Sequence, residues 1–323
     1  MNTQRVILAG GRGFLGEVLR DHFLRHDCDV VVLTRSPGQG KRHDRSREVF
    51  WDGRTLGEWG REINGAGAII NLAGRSVNCR YHARNRRLLL NSRVDSTRVL
   101  GEAVARCADP PRVWLNSSTA TLYRHSIDRA WDESGEIGAT PEAKDAFSIE
   151  IATAWEREFN AALAPGTRKV LLRSAMVLGP GRNSVFPVLR RLVRCGLGGR
   201  MASGRQYVSW IHEADFCRAI DWIVDHEELT GPVNLAAPNP LPNREMMATL
   251  RELCGVSIGL PASEWMLELG AFCLRTETEL ILKSRRVVPG RLLASGFRFR
   301  FACMHDALAD LLRKSGRSSE GSP

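Results

Sequence analysis

The chain has 323 residues, of which 43% are apolar and 25% are charged, a composition typical of a globular protein. This length excludes a miniprotein held together by disulfides. Lysine and arginine outnumber aspartate and glutamate by 46 to 36, a formal charge of +10, so a nucleic acid or another anionic ligand has to be considered. Five of these basic residues are lysines, so a mechanism that needs a titratable amine has few candidates.

The eight cysteines are widely spaced and contain no C-x-x-C pair, which argues against a zinc knuckle and a redox dithiol. The N-terminus leads directly into a strand-like segment and does not have the pattern of a secretory signal. No apolar run reaches the roughly 18 residues that suggest a membrane span. These features predict a cytoplasmic protein with reduced cysteines and no membrane association.

Short apolar segments alternate with helix-length amphipathic segments through the first half of the chain. The predicted strands are Arg5 to Ala9, Asp29 to Leu33, Glu48 to Trp51, Ala68 to Leu72, Arg112 to Asn116 and Lys169 to Arg173. The predicted helices are Phe14 to Arg25, Arg84 to Arg106 and Phe147 to Leu163. This alternation predicts an α/β Rossmann fold with a doubly wound parallel sheet.

After residue 180 the pattern becomes irregular and rich in glycine and proline. We therefore predict a Rossmann domain over residues 1–180 and a smaller substrate-side lobe over residues 181–314. Val233 to Leu235 reads as another strand, so residues 211–240 are expected to return to the sheet. The polar residues 315–323 are expected to be disordered.

A glycine-rich turn lies between the first strand and the first helix. Gly10, Gly13 and Gly16 have G-x-x-G-x-x-G spacing. In this position the first glycine permits a tight turn, the second lets backbone approach a pyrophosphate, and the third allows close helix packing. The N–H groups at the helix N-terminus also favour an anion. The predicted cofactor contacts here are Gly10, Arg12, Gly13, Phe14, Leu15 and Gly16.

The end of the second strand indicates which dinucleotide binds. NAD-selective sites usually carry a carboxylate there to hold the ribose hydroxyls, whereas this chain has Thr34-Arg35-Ser36. Arg35, together with Arg12, could bind a 2′-phosphate, so NADP is favoured over NAD. The alternative for Arg35 is a solvated surface arginine. Asp52, after the third strand, either contacts the adenine or caps the following turn.

Further motifs extend over most of the chain. They are Ile70-Asn71-Leu72-Ala73-Gly74, Asn116-Ser117-Ser118-Thr119-Ala120-Thr121-Leu122-Tyr123, the segment from Leu172 to Gly181, Ser203 to His212, and Arg286-Val287-Val288-Pro289. With these motifs the chain resembles the extended short-chain dehydrogenase/reductase superfamily. It is most similar to an atypical NAD(P)-dependent epimerase-like subfamily, often described as nucleoside-diphosphate-sugar epimerases or cell-division inhibitors, with a small C-terminal domain of unknown function.

The resemblance implies roles for specific residues. Leu72, Ala73 and Gly74 would line the cofactor ribose and diphosphate, and Ser117 and Ser118 would lie beside the nicotinamide. The residues implied to face the substrate are Arg205, Gln206, Tyr207, Trp210 and His212. For Trp210 the alternative is core packing, and for His212 it is a helix cap or a structural pair with Asp215.

The superfamily usually supplies a tyrosine, acidified by a lysine four residues later, for proton transfer. Alignment on Trp155 and Glu156 places Phe147 and Ile151 at these two positions, and neither can transfer a proton. Candidate substitutes are Tyr123 and Tyr207, with a hydrogen-bonded cleft tyrosine as the alternative for each. Ser118 and Thr119 could polarise a carbonyl group but are poor acids alone.

Two other groups of residues give weaker indications of a functional site. His22 and His26 have i, i+4 spacing on a predicted helix, but no third ligand is evident, so we predict a surface pair and no metal site. The arginines between Arg80 and Arg93 indicate an anionic substrate, a partner or a solvated basic face. They lack interleaved aromatic residues, so nucleic-acid binding is disfavoured.

Taken together, these sequence features predict an NADP-dependent oxidoreductase or epimerase acting on a small-molecule substrate, or a non-catalytic NADP sensor.

Overall fold

The computed structural model describes residues 5–38, 43–181, 183–273 and 277–320. The strands along the chain are β1 (Arg5–Ala9), β2 (Asp29–Thr34), β3 (Ser46–Phe50), β4 (Ala68–Asn71), β5 (Val113–Thr119), β6 (Arg168–Ser174), β7 (Met176–Leu178), β8 (Tyr207–Val208), β9 (Trp210–His212), β10 (Gly231–Leu235) and β11 (Leu241–Pro242). Seven of them form one parallel sheet in the order β10-β6-β5-β4-β1-β2-β3. The predicted Rossmann-like α/β fold is confirmed.

Ten α-helices occur in the described part of the chain. They are α1 (Phe14–Arg25), α2 (Ala83–Ala105), α3 (Ala146–Ala161), α4 (Phe186–Arg194), α5 (Glu213–Asp225), α6 (Asn243–Leu253), α7 (Glu264–Cys273), α8 (Glu279–Leu282), α9 (Gly290–Ala294) and α10 (Met304–Glu320). The three helices predicted in the first half correspond to α1, α2 and α3. None of the described helices is both long and apolar enough to cross a bilayer.

Both faces of the sheet are covered, which explains why its strands read as continuous apolar runs. Val6 and Leu8 of β1 pack on one face with Phe23 of α1. Ile7, between them in sequence, points to the other face and shares a cluster with Phe159 of α3. Because side chains alternate along a strand, this single segment contributes to two core layers.

The C-terminal part of the chain has its own apolar cluster, which includes Phe186, Trp210, Met247 and Leu308. The chain also returns to the main sheet here, because β10 pairs with β6.

The last helix differs from the sequence expectation. The tail was expected to be disordered from Ser315, but α10 continues to Glu320. Its first turns are anchored by buried Leu308 and Leu311, and each residue added to an existing helix gains a backbone hydrogen bond. The helix therefore includes residues 315–320 of the predicted tail, and residues 321–323 lie outside the described residues.

Candidate active site

A cleft of about 420 Å³ opens where the carboxyl ends of β1, β4, β5 and β6 meet. The sheet changes direction of winding between β1 and β4, and doubly wound folds bind ligands at such a switch point. The lining residues predicted from sequence are Gly10, Gly13, Phe14, Leu15, Gly16, Leu72, Ser117, Ser118 and Thr119, and Ile151, at the position of the missing lysine, also lines the cleft. Sequence reasoning assigned no cleft role to Val77, Arg93, Thr121, Ser148, Ala152, Trp155, Ser174 and Asn183, which also line it.

The three glycines of the turn have different surroundings. Gly10 has φ +73°, and a Cβ atom there would lie 2.7 Å from the Cα atom of Ala73. A Cβ atom on Gly16 would lie 2.2 Å from the carbonyl oxygen of Gly11, so this glycine packs against the turn itself. A Cβ atom on Gly13 would meet no protein atom within 4 Å. Gly10 and Gly16 are therefore needed for close backbone packing, whereas Gly13 leaves an open space beside the turn.

The two arginines predicted at the 2′-phosphate lie beside the turn and do not line the cleft. Arg35 is exposed directly after β2. Arg12 donates from Nη1 to the carbonyl oxygen of Ser36 at 2.8 Å, and its Nε atom lies 3.7 Å from Oε1 of Glu48. The guanidinium of Arg12 is thus held next to the segment that carries Arg35. Glu48, which sequence reasoning did not single out, helps to hold it there.

Asp52 caps a turn. Its Oδ1 atom accepts hydrogen bonds from the backbone N–H groups of Arg54 at 2.8 Å and Thr55 at 3.0 Å, and Oδ2 accepts from the Thr55 hydroxyl at 2.7 Å. Slight burial raises the pKa of Asp52, but these hydrogen bonds outweigh it and hold the pKa below its usual value. Of the two readings of Asp52, the capping role is present, and the adenine contact stays a prediction.

The loop after β4 is positioned by a buried asparagine. Asn71 donates from Nδ2 to Oδ1 of Asn116 at 2.7 Å, which ties the ends of β4 and β5 together. Its Oδ1 atom accepts from the backbone N–H of Ala73 at 3.0 Å. Ala73 is therefore held against Gly10, and Leu72 lines the cleft. Ala73 and Gly74, both predicted cofactor contacts, do not line the cleft themselves.

The motif after β5 brings Ser117, Ser118 and Thr119 to the cleft. The hydroxyl of Ser118 donates to Oε1 of Glu156 at 2.6 Å. Its oxygen therefore remains as an acceptor towards the cleft, whereas polarising a carbonyl group would need a donor. Thr119 accepts the backbone N–H of Thr121 at 3.1 Å and keeps its own proton available.

Tyr123 does not line the cleft, so it cannot serve as the proton donor there. Its side chain is 1% exposed. Its hydroxyl donates to Oδ1 of Asn234 at 2.8 Å and accepts from Nη1 of Arg173 at 2.9 Å. Burial raises the pKa of the phenol, although Arg173 opposes this effect. Sequence proximity to Ser118 was misleading because the short 3-10 turn at Ala120–Leu122 directs the ring into the interior.

Two residues predicted to face the substrate are structural. Trp210 is fully buried in the C-terminal apolar cluster, which matches the core alternative. His212 is also fully buried, and its Nδ1 atom accepts the backbone N–H of Ala214 at 3.0 Å at the start of α5. Its Nε2 atom lies 3.2 Å from Oδ2 of Asp310, and its ring stacks on Phe301. His212 is therefore a helix cap paired with Asp310, not Asp215.

The remaining residues of the predicted substrate loop also lie outside the cleft lining. Gln206 is buried and donates to the carbonyl oxygen of Met201 at 2.9 Å. The ring of Tyr207 lies under the guanidinium of Arg286 at 4.4 Å, and Arg205 is exposed. The loop motif thus supports the packing of the C-terminal lobe. A substrate contact of Arg205 or Tyr207 would need a ligand that extends beyond the cleft.

Helix α3 forms one wall of the cleft. Ile151 lines it, while Phe147 packs behind it with its ring 5.1 Å from that of Tyr81. Between them, Ser148 lines the cleft and donates its hydroxyl proton to Glu279 of α8. Burial raises the pKa of Glu279 above its usual value. Ser148 and Glu279 thus form a hydrogen-bonded path from the cleft to a buried carboxyl group.

The histidine pair on α1 is not the predicted surface pair, because His22 is buried and has a third neighbour, Asp221. His22 Nε2 lies 2.6 Å from Oδ2 of Asp221 on α5, and His26 Nδ1 lies 2.9 Å from the carbonyl oxygen of His22. None of the three lines the cleft. The contact joins α1 to α5.

Comparisons with protein-family models and with known proteins identify similar proteins over almost the whole chain. Residues 6–236 match a family model described as the NAD dependent epimerase/dehydratase family, and residues 262–311 match a domain of unknown function, DUF1731. The mouse epimerase family protein SDR39U1 is 29% identical over 318 residues, which cover 95% of this chain and 99% of the relative.

Two solved structures show the same fold. The crystal structure of human epimerase family protein SDR39U1 (isoform 2) with NADPH has a TM-score of 0.82 and 25% identity, and the match covers 96% of this chain and 99% of that one. MoeE5 in complex with UDP-glucuronic acid and NAD has a TM-score of 0.73 and 20% identity, with 97% of this chain and 99% of that one covered.

Proposed function

The chain belongs to the NAD-dependent epimerase/dehydratase family, and from this premise we propose that it is an NADP(H)-binding oxidoreductase or epimerase-like protein of the extended short-chain dehydrogenase/reductase type. The observation that carries the proposal is the open space above Gly13 at the mouth of the cleft. The diphosphate of a dinucleotide would lie there, against the N–H groups at the N-terminus of α1.

NADP is proposed rather than NAD because of the residues beside the turn. Arg35 is exposed, and Arg12 is held next to it by Ser36. Two guanidinium groups at this edge suit a 2′-phosphate, whereas a carboxylate directly after β2 would repel it. NADPH in the human relative supports this assignment.

A bound nicotinamide would supply or accept a hydride, so the chain itself has to move one proton. Phe147 and Ile151, at the positions where the family resemblance expects tyrosine and lysine, cannot do this. Ser148 is a cleft hydroxyl with a buried carboxyl group, Glu279, behind it, whereas the carboxyl group behind Ser118, that of Glu156, is held in an ion pair with Arg173. In an oxidation the substrate hydroxyl proton would pass to Oγ of Ser148 while the Ser148 proton passes to Glu279. Thr119 keeps a free proton and could orient a substrate oxygen.

The second candidate is a non-catalytic NADP(H) sensor. It is favoured by Phe147 and Ile151, and by the buried position of Tyr123, which removes a substitute phenol from the cleft. The cleft itself, with Ser148 in its wall, favours turnover of a small-molecule substrate. UDP-glucuronic acid in MoeE5 makes a nucleotide-linked sugar the first substrate class to examine.

Cofactor titration tests the proposal. We expect the purified protein to bind NADPH more tightly than NADH, measured by the fluorescence of the reduced nicotinamide. Arg35→Ala should weaken NADPH binding about tenfold and leave NADH binding unchanged, because it removes a charge-assisted contact to the 2′-phosphate. Arg61→Ala, at an exposed arginine on the Glu58–Glu62 turn, is the control for lost net charge. Equal affinities for both cofactors in the wild type would contradict the NADP assignment.

A further inference from the structure

One arginine in the cleft wall has no acidic partner in the part of the chain that the structure describes. Arg93 of α2 lines the cleft, and its guanidinium carbon lies 5.2 Å from the centre of the Trp155 ring. Its Nη1 atom donates to the carbonyl oxygen of Leu89, one turn earlier in the same helix, at 2.9 Å. Among the described residues, the ionisable side chains that act on it are Tyr81 and Cys79, and neither is a carboxylate.

The guanidinium of Arg93 has unused capacity to bind an anionic ligand. Burial lowers the pKa of Arg93 to about 10, so the group is still cationic at neutral pH. A guanidinium has five N–H donors, and the bond to Leu89 uses one of them. Arg93 is only partly exposed, and a cationic side chain without a counter-ion in a cleft is a candidate for a functional site.

The neighbours of Arg93 hold it in a defined orientation. Trp155, on which the guanidinium stacks, is itself fixed by the hydrogen bond from Nε1 to the Thr97 hydroxyl at 3.0 Å. On the other side, a Cβ atom at Gly74 would lie 3.3 Å from the guanidinium carbon. A glycine there leaves space for the arginine. The cation is thus preorganised, which lowers the entropic cost of binding an anion.

In the proposed site, other residues than Arg93 would bind the anionic groups of the cofactor. The diphosphate would lie at the N-terminus of α1, and the 2′-phosphate would lie at Arg12 and Arg35. Arg93 is on the wall formed by α2 and α3, beside Ile151 and Trp155. We propose that Arg93 binds an anionic group of the substrate, a carboxylate or a phosphate. The inference deepens the proposed function, on which it rests for treating the cleft as a joint cofactor and substrate site.

Inorganic phosphate is a suitable probe because it needs no knowledge of the substrate. Phosphate is titrated into the full-length protein at constant ionic strength, with and without NADPH. The fluorescence of Trp155, obtained as the difference from a Trp155→Phe variant, reports binding beside Arg93. We expect a saturable change in the wild type and at least about tenfold weaker binding in Arg93→Met. Arg93→Lys should retain part of the affinity, and Arg87→Met, at an exposed arginine on the same helix, should be unchanged.

Each result separates this inference from the proposed function. Equal phosphate binding in wild type and Arg93→Met, or no saturable signal in the wild type, would overturn the inference. Loss of NADPH binding in Arg93→Met would assign Arg93 to the cofactor and overturn it too, while the proposed function would stand. Phosphate binding that depends on Arg93, in a wild type that does not bind NADPH, would support the inference and contradict the proposed function. Thermal unfolding checks that each variant folds, and Arg93→Gln replaces Arg93→Met if that variant does not.

Discussion

Arg173 and Glu156 form a two-point ion pair behind the cleft, with Nε donating to Oε1 at 2.9 Å and Nη2 donating to Oε2 at 2.8 Å. Both side chains are almost completely buried. Oε1 of Glu156 also accepts the Ser118 hydroxyl, and Nη1 of Arg173 donates to Tyr123. The ion pair therefore holds the Ser118 hydroxyl in the cleft wall through Glu156, and it supplies a hydrogen-bond donor to the buried Tyr123 hydroxyl through Arg173.

Glu156→Gln should destabilise the protein by about 3 kcal/mol, because it leaves a buried guanidinium without its counter-charge. Urea unfolding measures the loss. Arg173→Met in the same background should restore part of the stability, since no charge then remains to be compensated. As a control, Glu136→Gln breaks the exposed pair with Arg124 and should cost less than about 1 kcal/mol. Equal unfolding midpoints for Glu156→Gln and wild type would refute this account.

Gly13→Val should abolish NADPH binding without unfolding the protein. Gly13 has φ −81° and ψ 174°, which valine adopts easily, and its added side chain would occupy the space proposed for the diphosphate. Gly16→Ala should act differently and lower the melting temperature, because its Cβ atom would overlap the Gly11 carbonyl. Gly60→Val is the matched control, because a Cβ atom on Gly60 would also meet no protein atom within 4 Å. It should retain NADPH affinity because Gly60 does not line the cleft. Normal NADPH binding by Gly13→Val would exclude this turn as the diphosphate site.

Ser148→Ala should raise the pKa of Glu279 further above its usual value. The hydrogen bond from Ser148 stabilises the carboxylate form of Glu279 and so opposes the effect of burial. The pKa is measured by NMR titration of the side-chain carboxyl carbon in protein labelled at glutamate. Glu133 is an internal control, because burial also raises its pKa but its hydrogen bonds come from Asn234 and Arg291. If the Glu279 titration were unchanged in Ser148→Ala, the two groups would not form a proton path.

The sheet could be predicted from sequence because its signals are local. Val6 to Ala9 are all apolar, as a strand that is buried on both faces of a sheet requires. The glycines that follow them specify a turn independently of distant parts of the chain. The same holds for Arg35, whose position after β2 follows directly from its place in the sequence. Strand and turn signals of this kind depend on a few adjacent residues.

The cleft wall could not be predicted in the same way, because it depends on contacts between distant segments. Glu279 reaches Ser148 across 131 residues, and no local pattern marks either residue. Trp210 and His212 illustrate the opposite error. Their motif resembles a substrate loop, but packing against the C-terminal lobe buries both side chains. The sequence shows Arg93 only as one of several basic residues, since its place in the cleft wall is a tertiary property.

His212 gives the stability of the fold a specific dependence on pH. Its Nδ1 atom accepts the N–H of Ala214, so the neutral ring carries its proton on Nε2, facing Asp310. Burial lowers the pKa of His212 from 6.5 to about 4, and nearby Lys314 adds to this effect while Asp310 and Asp215 oppose it. Between these pH values the unfolded chain binds a proton that the folded protein does not.

The free energy of unfolding should therefore include a contribution from His212 that is complete above pH 6.5 and falls by about 3 kcal/mol as the pH decreases to about 4. His212→Asn removes the titrating group and keeps a residue that caps helices well. Urea unfolding at several pH values should show a shallower decline for this variant than for wild type, whatever its stability at neutral pH. His305→Asn, at an exposed histidine, is the control and should follow the wild-type slope. Parallel curves for His212→Asn and wild type would mean that His212 has the same pKa in the folded and unfolded states, which would contradict the effect of burial on this residue.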